Sequence, residues 1–123
     1  MPLPFKRSDR VGDLVLRALS DLLRREVKDP RVRDVVVTAV AMSADLRQAH
    51  VRFTCGPDPA RQAEALAGLA SSAGFLRGRL GRGLHLRSAP ELFFEVDAGV
   101  EYSLHIAALL RRVAAEEEAE GRD

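Results

Sequence analysis

The chain has 123 residues, 46% of them hydrophobic and 30% charged, enough for one domain with its own core and no metal or disulfide staple. A single cysteine, Cys55, excludes an intramolecular disulfide and a four-cysteine zinc site. The opening residues lack the apolar run of a secretory signal, and no stretch approaches the ~18 apolar residues of a membrane span, so a cytoplasmic protein is expected.

The net charge of +1 hides a partition. Residues 1–112 hold 18 of the 19 Lys+Arg and 13 of the 18 Asp+Glu, whereas residues 113–123 hold one Arg against five acids. A basic body with an acidic end favours polyanionic partners, because neutralising phosphates releases condensed counterions. The expected domains are therefore 1–112, with a basic arm at 1–7, and an acidic, disordered tail at 113–123.

Taken in order, Ser8 or Asp9 is a candidate helix cap, and Val11, Leu14, Val15, Ala18, Leu19, Leu22 and Leu23 recur at three- and four-residue steps. That is one apolar stripe of an amphipathic helix. Lys28-Asp29-Pro30 should end it, since a proline disfavours helical backbone in the residue before it. Residues 35–42 are apolar on both faces and β-branched, which suits a central strand. After a turn at Ser43-Ala44-Asp45-Leu46, Ala49, Val51, Phe53 and Cys55 alternate with polar residues, a half-buried strand forming an antiparallel hairpin with the first.

Asp58 then caps a second helix with Pro59 at its first position. Small side chains at Ser72-Ala73-Gly74 predict a kink or break, Gly74 being free to take backbone conformations that a Cβ forbids. A further helical piece from Phe75 should end near Gly83 as a left-handed cap. Residues 91–96 form a third strand. Tyr102, His105, Ile106, Leu109, Leu110 and Val113 mark a trailing helix that frays into Glu116-Glu117-Glu118. The expected class is a two-layer α+β domain in the order αββααβ, which is that of a type II KH domain, a fold that binds single-stranded or irregular RNA.

Catalytic groups are hard to assemble. Cys55 occupies an apolar strand position, and His50, His85 and His105 sit on separate elements without metal-ligand spacing. Glu91 and Glu95 read as a charged strand face, and no phosphate-binding glycine loop is present. A non-enzyme without metal or cofactor is the expectation. Gly78-Arg79-Leu80-Gly81 fits the G-x-x-G clamp of KH domains, but it falls late in the helical piece rather than at the helix junction, where Ser72, Ala73 and Gly74 stand instead. Near that junction Arg77, Arg79, Arg82 and Arg87 cluster without an acid among them, a candidate phosphate site to which Lys6, Arg7 and Arg10 add a second basic segment. Aromatic residues make up 5% of the chain, with no tryptophan, which argues against base stacking on a sheet of exposed rings.

Several collinear fragments carry a family resemblance: Arg10-Val11, Lys28-Asp29-Pro30-Arg31-Val32, Asp45-Leu46-Arg47-Gln48-Ala49 with Val51, Gly74-Phe75-Leu76-Arg77, and Leu86-Arg87 with Pro90-Glu91-Leu92 and Phe94 before Asp97. Together they resemble ribosome-binding factor A over residues 6–110. The family's interrupted helix is marked by Ala-x-Gly, and here Ser72 stands at the first of those positions. The resemblance implies a type II KH fold, binding to the immature small (30S) subunit and its 16S rRNA, and support of late rRNA maturation including the 5′ end. It also implies adaptation to cold growth, release aided by a GTPase assembly factor, and a monomer off the ribosome. A protein-interaction module independent of RNA is the alternative from another class, and a small-molecule enzyme the third.

Overall fold

A computed structural model describes residues 7–121. The elements are α1 (Arg7–Arg25), a short 3-10 turn (Pro30–Val32), β1 (Val36–Met42), β2 (Gln48–Thr54), α2 (Pro59–Gly83), β3 (Glu91–Val96) and α3 (Ala98–Glu120). The sheet order is β1-β2-β3, with β1 antiparallel and β3 parallel to β2. A parallel neighbour requires a crossover, which α2 supplies. Helices α1 and α2 cover one sheet face and leave the other open, so the α+β two-layer architecture is as expected.

The core follows from the two periodicities. α1 buries Val15, Leu19 and Leu23, α2 buries Ala65, Leu69, Leu76 and Leu80, and β2 buries Ala49, Val51 and Phe53. Those β2 positions alternate with outward Gln48, His50 and Arg52, the period-two signature of a sheet covered on one side. Two glycines permit close approach. A Cβ on Gly12 would stand 2.8 Å from the Val40 carbonyl oxygen, and one on Gly68 would stand 2.9 Å from both Arg31 Cβ and Val32 Cγ1.

Several expectations need correction. β1 is an edge strand rather than a central one; its outer face is apolar but uncovered, with Val36 58% exposed. Ser8 and Asp9 lie inside the first turn of α1, which already begins at Arg7. Ser72-Ala73-Gly74 does not separate two helices, because α2 runs through it as one 25-residue helix. Gly74 is helical there, and among the described glycines only Gly56 has a positive φ. The left-handed residue after α2 is His85 (φ 52°), not Gly83. The helix takes in Gly83 itself, with Leu84 as its cap and the Leu86 N–H donating to the Gly81 carbonyl at 3.1 Å. That bond requires the chain to reverse at His85, a conformation that histidine visits more readily than most residues.

At the far end, α3 takes in residues 113–120, which composition alone separates as a tail. Asp97 caps α3 by accepting from the Val100 N–H at 3.2 Å, and it also accepts from the Thr38 hydroxyl at 2.7 Å. Thr38 lies where the β1–β2 register shifts, between Val37 and Ala39. The bulge thus anchors the start of α3 across the sheet.

Candidate nucleic-acid interface

The four arginines of the expected cluster are all exposed, but they are not equivalent. On a helix Arg79 and Arg82 are surface neighbours at i,i+3, while Arg77 is turned toward the chain leading into β3. There its Nε donates to the Pro90 carbonyl at 3.0 Å and an Nη donates to the Ala89 carbonyl at 3.3 Å. Arg77 therefore fastens the loop to α2 with two of its donors. Arg82 folds back, its Nε donating to the Gly78 carbonyl at 3.3 Å, and the residue remains exposed. Arg87 is exposed on the same loop.

Arg79 has two neighbours. Its guanidinium carbon lies 5.3 Å from the centroid of the Phe75 ring, and its Nε is 3.6 Å from a Glu26 carboxylate oxygen. Glu26 follows α1 directly, so this contact brings the C-terminal end of α1, with Arg24, Arg25 and Lys28, toward the last turns of α2. Helix rise then puts Arg7 roughly 28 Å from that end. Arg7 and Arg10, both exposed at the start of α1, form a separate basic segment, and Lys6 lies outside the described residues.

Several arginines elsewhere are matched to carboxylates, Arg24 and Arg25 both to Asp21 at 3.1 Å. Arg31 bonds Asp29 at 2.7 Å, and that bond holds the Asp29 carboxyl below the usual carboxylate range. Arg61 bonds Asp34 and depresses it in the same way. Arg52 is paired with Glu95 across β2 and β3 at 2.9 Å. Exposed pairs of this kind contribute little stability, but they cancel field locally. Late α2 and its following loop supply no acid of their own, since residues 65–90 contain none, and the carboxylate that reaches this stretch is Glu26, at Arg79.

The small residues bear on this surface differently from the expectation. Ser72 and Ala73 are half-buried and Gly74 is exposed, with no atom beyond its own stretch of helix within 4 Å of where its Cβ would be. Gly78 is nearly as open, Arg82 Nη2 being 3.9 Å away, whereas Gly81 sits against Ala89 at 3.4 Å. Gly74 and Gly78 leave bare helix backbone beside the arginines.

Two features escape a reading of sequence. Phe75 is 43% exposed on α2; helical phase relative to the buried Leu76 was the available signal. A groove of about 550 Å3 is lined by Leu23, Val27, Val32, Val35 and Val37, with Arg24, Lys28 and Arg33 among its polar residues. It needed the fold, because α1, the 3-10 turn and β1 meet there. No group of three or more His, Cys, Asp or Glu side chains suited to a metal occurs among the described residues, and no described helix is long and apolar enough to cross a membrane.

Known proteins share this arrangement. The Pseudomonas putida (strain F1) ribosome-binding factor A is 45% identical over 121 residues, covering 95% of this chain and 90% of the relative. The Syntrophus aciditrophicus protein of the same name is 41% identical, covering 97% of each. Among solved structures, the crystal structure of ribosome-binding factor A from Thermus thermophilus superposes with a TM-score of 0.64 at 25% identity, over 72% of this chain and 94% of that one. A homology model of the protein from the same organism, as fitted into the cryo-EM map of a complex with the 30S subunit, gives 0.57 at 26% identity, over 68% and 88%. The α+β, KH-like architecture is common to them. The family model described as ribosome-binding factor A matches residues 7–110, which takes in Arg7, Arg10, the arginines of late α2 and its loop, and the whole sheet, and the chain belongs to that family.

Proposed function

We propose that this protein is a non-catalytic assembly factor of the small ribosomal subunit, binding the immature particle through its 16S rRNA and supporting late rRNA maturation, including formation of the 5′ end. The observation that carries the reading is the arginine-rich face of late α2 and its loop, a stretch with no acid of its own between residues 65 and 90, within a domain whose relatives are ribosome-binding factors. Arg79, Arg82 and Arg87 hold phosphates, Arg77 fixes the loop that carries Arg87, and Lys6, Arg7 and Arg10 engage a separate stretch of backbone. Residues 1–112 make up the RNA-binding domain, and the acidic end of α3 is kept away from RNA by its charge. The setting is cytoplasmic, the protein is monomeric off the ribosome, its loss is felt most in the cold, and a GTPase assembly factor assists its release.

Sucrose-gradient sedimentation tests the core of this. The protein should travel with free small subunits, and a deletion strain should accumulate small subunits whose 16S rRNA keeps an extended 5′ end. A protein confined to ribosome-free fractions, with normal 5′ ends in the deletion strain, refutes it. Arg82→Ala should weaken binding and reduce the slope of log K against log salt by up to about one unit.

The exposed apolar residues of α3, among them Tyr102, Leu104 and Leu110, favour a second reading as a protein-interaction module. That reading requires a stable complex that survives ribonuclease.

A further inference from the structure

Rings are scarce in this chain, with five Phe, one Tyr and no Trp, so an uncovered one is informative. Phe75 is 43% exposed, although its neighbour Leu76 is fully buried. It stands on the face of α2 that carries Arg79 and Arg82, since 75, 79 and 82 fall at successive helical steps. Arg79 lies 5.3 Å from the ring centroid, and the next turn offers no side chain at Gly78 to overhang it. A flat apolar ring beside a flat cation, on a stretch that contributes no acid from 65 to 90, has the chemistry of a nucleobase seat. Bases stack on rings and guanidinium planes alike, and a cation beside the ring draws in the phosphates that flank the base.

We infer that Phe75 stacks an unpaired RNA base, with Arg79 alongside it and Arg82 on the adjoining phosphate. This rests on the RNA-binding reading and goes further by naming the nucleotide selected. It is an unstacked one from a loop, bulge or strand end, because within an A-form duplex both faces of a base are covered.

The sheet offers a rival platform in His50 and Phe93, whose rings are stacked with centroids 5.1 Å apart. Glu91 and Glu95 flank Phe93 on the same outer face of β3, and their carboxylates oppose a phosphate chain. Arg52 cannot offset both, being paired to Glu95 at 2.9 Å. On α2 the carboxylate within reach is Glu26, 3.6 Å from Arg79, and it comes from the end of α1, where Arg24 and Arg25 share the single carboxylate of Asp21 at 3.1 Å each and, with Lys28, leave that end positive. The two aromatic sites thus differ in the sign of their surroundings, and only the α2 site suits RNA.

Because the chain has no tryptophan, Phe75→Trp installs a single indole reporter. Its fluorescence should be quenched by a short single-stranded oligoribonucleotide and much less by the same sequence annealed as a duplex. Phe75→Leu keeps an apolar side chain but removes the ring, and should weaken single-strand binding about tenfold, the loss of one base stack. The slope against salt should stay unchanged, because no phosphate contact is lost. Wild-type affinity in Phe75→Leu, or equal quenching by duplex, overturns the inference. So does a loss confined to intact small subunits with single-strand binding unaltered, which assigns Phe75 to a ribosomal protein instead. If Arg82→Ala weakens RNA binding while Phe75→Leu does not, the RNA reading stands and this inference alone falls. If the wild-type protein binds no RNA, both fall.

Discussion

Helices α2 and α3 are nearly equal in length, 25 and 23 residues, and both mix alanine and leucine with arginine, yet their surroundings are opposite. α2 buries Ala65, Gly68, Leu69, Leu76 and Leu80. No described residue of α3 is buried, and Tyr102, Leu104, Leu109, Leu110 and Val113 stand exposed. The difference is one of chain order rather than hydropathy. α2 bridges two parallel strands and must cross the sheet, where β2 and β3 offer apolar positions to cover. By the time α3 leaves β3, that face is occupied by α1 and α2. An apolar stripe nominates a helix, but which surface it covers depends on what the preceding elements have left free.

Truncations should separate the two helices most sharply. Leu69→Ala removes a fully buried side chain and should destabilise by about 2–5 kcal/mol. Leu110→Ala, at 65% exposure, should stay within about 0.5 kcal/mol. Urea unfolding measures both, and comparable losses would mean that α3 packs on the body in solution, ending the contrast.

A pair of glycine substitutions sharpens the comparison within α2 itself. Gly68→Ala forces a methyl to 2.9 Å from Arg31 Cβ and Val32 Cγ1, and overpacking of that kind typically costs about 1–3 kcal/mol. Gly74→Ala meets nothing within 4 Å and improves helix propensity, so a gain of about 0.5–1 kcal/mol is expected. A loss at Gly74 would reveal a bend there that the unbroken helix does not require.

The smallest effect concerns the anchor of α3. The Thr38 hydroxyl first, and the Val100 N–H after it, hold the Asp97 carboxyl below its ordinary value. A carboxylate depressed by folding stabilises the native state above its unfolded pKa of about 3.9, and that contribution disappears as pH falls through the folded value. Helical circular dichroism should therefore hold from neutral pH down to about pH 5 and decline below about pH 4. In Asp97→Asn, the part of that decline belonging to α3 should vanish.

Most elements could be read from periodicity because their apolar faces are regular. Val11 to Leu23 repeats at helical steps, Ala49 to Phe53 alternates, and Asp58-Pro59 marks the start of α2 by simple cap chemistry. What failed depended on partners. β1 looked central because both its faces are apolar, yet position in a sheet is decided by which strand the crossover returns to. Ser72-Ala73-Gly74 looked like a break because small residues permit one, but permission is not a requirement when Leu69, Leu76 and Leu80 fix the helix to the core on either side. The arginine cluster was legible as a composition. Its division into a clamping Arg77, an Arg79 set beside Phe75 and Glu26 and an Arg82 folded onto Gly78 was not, since that depends on the end of α1 and on carbonyls at 89 and 90 that come to α2 only when β3 docks.

The two bonds from Arg77 to the Ala89 and Pro90 carbonyls matter thermodynamically before any ligand arrives. They tether the segment after α2 at its far end, while the reversal at His85 sets its near end, so Arg87 is presented on a short span already ordered at both sides. An arginine on such a span has less freedom to surrender on meeting a phosphate, and the saved entropy appears as affinity. Loosening the tether, for example with Arg77→Met, should leave Arg87 intact and still weaken binding, with the penalty growing as temperature rises.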